Sequence, residues 1–301
     1  YASRGLGDVY KRQHLLLEEI MFAVCSNPNV LADILWYVCY LSNGKHISFY
    51  IAFAKVIGLL VVSGPTSLLL GFIAAQAANS KIFLANCLGN FFILLVRGIP
   101  DIAWFLFFVI ALDQAFELFR HYVLCPDWQA QIRQGSNFIV CGEAKLPQGS
   151  APDWIHEIYA FILAIITFSI IFGAFCANVI KGAMEAVPKN QLETGAAFGM
   201  DERQIFWRIL VPQMWRYAIP GLANVWMILI KATPLLFLLG IEDIVYWARE
   251  LGGTKTPRFT SYPHGDWRIW YFLILIVFYL ILTQVSEFFV KKISARFSRG
   301  F

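Results

Sequence analysis

The sequence predicts an all-α integral membrane protein with about five transmembrane helices. Three observations carry that expectation. Of 301 residues, 58% are hydrophobic and 15% charged, and mean hydropathy is +0.61, outside the range of soluble domains. Apolar runs of about 20 residues recur along the chain, the length that a roughly 30 Å hydrocarbon core demands of a helix. Between two of those runs lies a polar segment, 181–216, with turn and cap signals of its own.

The first thirteen residues, including Asp8-Val9-Tyr10-Lys11-Arg12-Gln13, read as a translated adapter scar and are kept out of fold reasoning. Residues 14–46 are expected to be an N-terminal interfacial segment. Within it Leu31 to Leu41 gives only about 17 Å of helix, too short to cross. The membrane domain is placed at 47–290 and a basic cytoplasmic tail at 291–301.

The first span is expected from about Ile47 to Ala75, with Gly64-Pro65 inside it. Arg97-Gly98-Ile99-Pro100 cuts the next apolar stretch into an interfacial or half-helix, Ile82 to Val96, and a span from about Ile99 to Leu112. Residues 113–154 read as a polar loop. A third span covers about Trp154 to Ile180, a fourth about Tyr217 to Gly240, and a fifth Trp267 to Val290, with a polar loop at 241–266 before it.

Lys181, Lys189, Arg203, Arg208 and Arg216 in the polar segment, and Lys291, Lys292, Arg296 and Arg299 in the tail, put both on the cytoplasmic side. Loop 113–154 then faces outside. Its Cys125 and Cys141 are open to pairing in an oxidising compartment. For the other cysteines a buried apolar thiol is the plain reading, and no zinc-like His/Cys cluster is legible. The net charge of +4 is spread over several loops without a basic aromatic face, which excludes nucleic acid as a partner.

The polar segment needs a short helix, a sharp turn and a second helix leading back to the membrane. Gly199 suits the turn because glycine accepts positive φ. Asp201 suits the next N-cap. Ile205, Phe206, Ile209 and Leu210 fall on one face, open to a partner's groove, and Val211-Pro212 is expected to end that helix. An ordinary loop helix with a glycine C-cap explains the same pattern less fully.

Glu193-Thr194-Gly195, three residues, Gly199, nine residues, then Ile209 and Pro212 resembles the cytoplasmic coupling motif of ABC-importer permeases, E-A-A, three residues, G, nine residues, I-x-L-P. Arg97-Gly98-Ile99-Pro100 resembles that family's R-G-T-P. Gly173-Ala174-Phe175, Asn178 and Lys181-Gly182-Ala183 resemble its third-span pattern, and Lys231-Ala232-Thr233-Pro234-Leu235 its K-x-T-S-L element. The variant is similar to permeases of the polar amino-acid group for histidine, lysine, arginine, ornithine and octopine.

The resemblance implies a type I ABC importer permease fold in a bacterial cytoplasmic (inner) membrane, with a cytoplasmic coupling helix. It implies three partners besides the lipid bilayer: a nucleotide-binding ATPase, a second permease subunit and a periplasmic substrate-binding protein. No cofactor or metal is expected in this chain, since ATP-Mg would sit on the ATPase; Gly252-Gly253-Thr254-Lys255-Thr256 lacks P-loop spacing. The chain itself is then no enzyme.

Glu193, Thr194, Gly195, Gly199, Asp201, Ile209 and Pro212 are the expected ATPase-coupling residues. Asn178, Lys231 and Thr233 are candidates for the translocation path, because a lysine near mid-bilayer costs roughly 2.5–3.5 kcal/mol unless it faces protein or water. A structural pairing of Lys231 is the plainer alternative. Lys55 is expected to snorkel. Asp101, where an apolar residue is usual, is open to an ion pair with Arg97. Two other classes compete: an ion-coupled secondary amino-acid transporter using Lys231, Lys55 and Glu242, and a non-transporting membrane scaffold. The absence of paired repeats weighs against the former.

Overall fold

The computed structural model describes Cys25 and residues 33–128, 132–134, 137–258 and 260–298. The expected adapter at 1–13, most of 14–32 and the end of the basic tail lie outside those residues. The helices are α1 Asp33–Leu41, α2 Gly44–Ala78, α3 Phe83–Gly98, α4 Asp101–Leu124, α5 Asp153–Glu185, α6 Lys189–Ala197 and α7 Glu202–Ile205. A π turn Phe206–Leu210 joins α7 to α8 Val211–Ala232, followed by a 3-10 turn Thr233–Leu239, α9 Ile244–Gly252 and α10 Arg268–Ser298. Strands β1 Arg133–Gln134 and β2 Asn137–Phe138 pair antiparallel, Arg133 opposite Phe138.

Among the described residues, five helical stretches are long and apolar enough to cross a membrane: Gly44–Ala78, Asp101–Leu124, Asp153–Glu185, Glu202–Leu239 and Arg268–Arg296. The shorter α3 matches the expected half-helix. Two boundaries differ from expectation. The second span continues to Leu124, so the loop after it is 125–152 rather than 113–154. Asp113 and Glu117 lie inside the expected polar loop, but both are taken up by the fold. Tyr159 O–H donates to Asp113 Oδ1 at 2.8 Å, and Leu146 N–H donates to Glu117 Oε1 at 3.2 Å.

Pro212 does not end a helix either. Val211 N–H reaches back to Phe206 O, and this widened turn lets the chain pass the proline and run on into α8. The helix expected to stop there is continuous with the fourth span.

Two compact units divide the chain, residues up to 54 with 243–276, and 55–242 with 277 onward. In the larger unit α5 is the centre. Its Phe168, Ile171, Phe172, Ala174, Ala177 and Ile180 are all fully buried. Helices α2 and α5 cross at Gly71 and Gly173, where small residues let two backbones approach. A Thr66–Ser169 hydroxyl contact at 2.6 Å pins the same seam.

Arg120 donates to the Glu143 and Ala144 carbonyls, and a Cys125–Cys141 disulfide closes the 125–152 loop. His121, Cys125 and Cys141 lie within 4.8 Å of one another, but the two sulfurs are bonded to each other and offer no thiolate pair. In the smaller unit Cys25 pairs with Cys39. That bridge corrects the expectation of buried free thiols, which holds for Cys176. Denatured without reductant, the protein should take up two maleimides, at Cys87 and Cys176, and six after reduction. Six in both conditions would remove the disulfides from the structure.

Asp243 caps α9. Its Oδ1 accepts the Val245 and Tyr246 N–H groups at 3.0 and 2.9 Å, while Oδ2 has no partner among the described residues, and the side chain is fully buried. Burial raises its pKa to about 6, against the lowering effect of the cap bonds. A raised carboxylate favours the folded state below its unfolded value near 3.8, and that advantage is lost as pH climbs through about 6. Asp243→Asn keeps the accepting oxygen without the buried charge. It should raise the melting temperature at pH 8 by several degrees and leave it nearly unchanged at pH 4. An equal shift at both pH values would contradict a buried, ionising cap.

Candidate functional site

The polar segment forms the expected helical elbow. Helix α6 follows Pro188, which suits a helix start because its missing N–H has no intrahelical partner there. It stops at Gly199, whose φ is +81°, in the left-handed region. Gly199 N–H donates to Ala196 O at 2.9 Å and Met200 N–H to Gly195 O at 3.1 Å, the two bonds of a Schellman stop. One residue on, Asp201 opens α7 with a capping box. Gln204 N–H donates to Asp201 Oδ1 at 2.6 Å, and Asp201 N–H donates to Gln204 Oε1 at 3.3 Å.

Gly195 is buried beneath the returning helix. A Cβ there would lie 2.6 Å from Ile209 Cδ1 and 3.3 Å from Ile205 Cγ1. Ile205 and Ile209 therefore fold back onto α6, which corrects the expectation that they wait for a partner's groove. What faces outward is Glu193, Thr194, Asp201 and above all Phe198, 83% exposed, with Trp207 at 52%. Phe198 was missed in the sequence; its signal is an aromatic side chain set beside the turn glycine of a polar segment. Pro212 is half-buried where the elbow joins α8. An exposed ion pair, Lys81 with Glu202, ties α7 to the chain ahead of α3.

Two motif elements meet. Arg97 Nη1 donates to Asn178 Oδ1 at 2.7 Å, and Lys181 Nζ donates to Asn90 Oδ1 at 2.7 Å, so α3 is strapped to α5 at both places. Arg97 thus bonds Asn178 rather than Asp101, whose place in the first turn of α4 suits the helix dipole. Thr233 is buried, donating to Ile230 O at 3.0 Å and sharing a 2.8 Å contact with Tyr279 O–H. Lys231 projects from α8 as an exposed side chain. No hydrogen bond joins Asn178, Lys231 and Thr233 to one another among the described residues.

A cavity of about 720 Å³ opens beside the start of α5, lined by Lys55, Asp153, His156, Glu157, Phe161 and Glu242 among others. Lys55 Nζ sits 2.7 Å from Glu157 Oε2, so it is paired rather than snorkelling. Its lining charges sit at the ends of apolar runs, where sequence alone does not separate a lined cavity from an ordinary wetted helix end.

Among the described residues, five candidate spans with a capped helical hairpin after the third are the arrangement expected of a transport subunit. The chain belongs to the family described as binding-protein-dependent transport system inner membrane component, whose model matches residues 67–299. It is similar to the histidine/lysine/arginine/ornithine transport system permease protein HisQ of Escherichia coli K12, 30% identical over 243 residues, 80% of this chain and 90% of the relative. It is also 32% identical over 143 residues to the arginine ABC transporter permease protein ArtQ of the same strain, 48% of this chain. The match spans only 56% of that relative's length. A solved amino acid ABC transporter structure with histidines superposes with a TM-score of 0.57 at 16% identity, covering 89% of this chain and 100% of that one.

Proposed function

We propose that this chain is the membrane-spanning subunit of an ATP-driven importer for polar or cationic amino acids, with α6 as its coupling helix. One observation carries the reading: a short helix with a Schellman stop and a capping box, its apolar seam closed on itself and its outer face left to Glu193, Thr194 and Phe198. A loop without a partner has no need of so defined an exposed helix. Phe198 and Glu193 form the contact with a separate ATPase, which hydrolyses ATP-Mg; this chain hydrolyses none.

The names of the relatives, arginine and histidine/lysine/arginine/ornithine permeases, support the solute class. A second permease subunit completes the path, and a periplasmic binding protein delivers the solute. The Lys/Arg bias places the elbow in the cytoplasm, and the same count of spans puts both disulfides outside, where such bonds persist. The relatives named above do not support the ion-coupled and scaffold readings.

The test is uptake of labelled arginine into proteoliposomes holding this chain, its ATPase and its binding protein. Uptake should require ATP and all the proteins. Uptake driven by an ion gradient without ATPase would replace this reading with a secondary transporter.

A further inference from the structure

Five polar groups in the smaller unit form one continuous hydrogen-bond chain. It runs from Asn43 through His46, Tyr271 and Tyr40 to His264 and ends on the Gly265 carbonyl. The contacts are His46 Nδ1 to Asn43 Oδ1 at 3.1 Å, His46 Nε2 to Tyr271 O–H at 2.6 Å, and Tyr271 to Tyr40 at 3.0 Å. Then come Tyr40 O–H to His264 Nε2 at 3.1 Å and His264 Nδ1 to Gly265 O at 2.7 Å. His46 and Tyr40 are almost fully buried.

The ends of the chain fix their protons. Asn43 Oδ1 also accepts the His46 backbone N–H at 3.0 Å, so the amide's oxygen, not its nitrogen, occupies that position. His46 Nδ1 must therefore carry a hydrogen to bond it. Gly265 offers only a carbonyl, so His264 Nδ1 must carry one as well. Three contacts remain between the two Nε2 atoms, and each needs one hydrogen. The two tyrosines supply two. The third has to come from an imidazole already protonated at Nδ1.

From this count we infer that His46 and His264 share one proton across the Tyr271–Tyr40 bridge, making the cluster a single-proton binding site. Two arrangements satisfy every contact. In one His264 is the imidazolium, and Tyr40 donates to Tyr271 while Tyr271 donates to His46. In the other His46 is the imidazolium and both hydroxyls point the opposite way. Passing between them moves a proton from His264 Nε2 to the Tyr40 oxygen, the Tyr40 hydrogen to Tyr271, and the Tyr271 hydrogen to His46 Nε2. No charge is gained or lost.

The proton rests on His264. That ring is half-exposed and stacks face to face on Trp267, with centroids 4.2 Å apart and planes 12° apart, a π surface that favours a cation. His46 is buried among Tyr40, Tyr50 and Tyr271, away from the water that would help hold a charge. The ionisable groups at this end of the flanking elements are Tyr37 on α1, Lys45 and Tyr50 on α2, and Asp243, Tyr246, Arg249 and Glu250 at the cap and along α9. The loop before α10 adds Lys255, Arg258, Tyr262 and Asp266, and α10 itself Arg268. Glu250 is held by Lys45 and Lys255 at 3.1 and 2.8 Å, and Asp266 pairs with Arg268. Lys255 and His264 exchange both backbone bonds, which keeps an ammonium-bearing residue alongside the site. Its charge is offset by Glu250.

Losing the proton leaves one of the three central contacts without a hydrogen. Tyr40 is the link that fastens α1 into this chain, so the fastening tightens as pH falls through the shared titration and slackens above it.

The experiment is nitrogen NMR of histidine-labelled full-length protein in lipid nanodiscs. Near pH 5 His264 should carry hydrogens on both nitrogens while His46 stays in its Nδ1–H neutral form. Tyr40→Phe cuts the bridge and should lower the His264 midpoint by about half to one pH unit. His264→Gln supplies both donors without titrating and should hold His46 in the Nδ1–H form at every pH. Two neutral histidines near pH 5, or a Tyr40→Phe midpoint equal to wild type, would overturn the shared proton. The wild-type spectrum alone decides the first point, whatever the variants do to folding.

Discussion

Replacing Gly199 by proline is expected to abolish solute-stimulated ATP hydrolysis and uptake while the protein still inserts in the membrane. Gly199 sits at φ +81°, and a proline ring holds φ near −65°. The substitution also deletes the N–H that bonds Ala196 O at 2.9 Å. Without those two features α6 cannot stop where it does, Met200 loses its bond to Gly195, and Ile209 loses its seat. The outer face carrying Glu193 and Phe198 then turns away from its proposed partner. Loss of a coupling free energy of about 1–3 kcal/mol corresponds to a drop of roughly 5- to 150-fold.

A graded series makes the cause legible. Gly199→Asn should come nearest to wild type, because asparagine tolerates the left-handed region; Gly199→Ala should be intermediate, at a cost of roughly 1–2 kcal/mol. ATPase activity and arginine uptake in proteoliposomes read the order directly. Full transport by the proline variant would separate α6 from coupling.

That elbow was legible because its signals are local. A turn glycine, a capping aspartate three residues ahead of a glutamine, and their spacing act within one or two helical turns, and the structure realises each of them. The parts that were not legible depend on which distant segments meet. Pro212 reads locally as a helix end, yet the π turn ahead of it absorbs the missing donor. Ile205 and Ile209 read as a free apolar face, but the absence of a side chain at Gly195 lets them close on their own hairpin. Asn178 read as a path residue on its own span, and only the packing of α3 on α5 brings Arg97 within 2.7 Å of it. Lys55 likewise found Glu157, 102 positions away. Span count followed from hydropathy. The length of the second span did not, because the partners of Asp113 and Glu117 come from later in the chain.

The seam between α2 and α5 gives the largest expected loss of stability. At Gly71 a Cβ would lie 2.4 Å from Cys176 Cβ and 2.9 Å from both Ala177 N and Gly173 O. Two of those three atoms are backbone, so no rotamer change relieves the clash, and the helices must move apart. Gly71→Val should therefore destabilise by about 3 kcal/mol, the upper end for overpacking. Loosening there also strains the Thr66–Ser169 contact one turn away.

Gly58 on the same helix is the control, because a Cβ there meets only Phe161 Cζ at 4.0 Å. Gly58→Ala should be neutral or stabilising by up to about 1 kcal/mol, the helix preference of alanine over glycine. Adding Cys176→Gly to the Gly71→Val variant removes the nearest atom but neither backbone atom, so rescue should be partial. Thermal unfolding in one detergent ranks the four proteins. Equal melting temperatures for the Gly71 and Gly58 variants would mean that the two helices do not cross where the structure puts them.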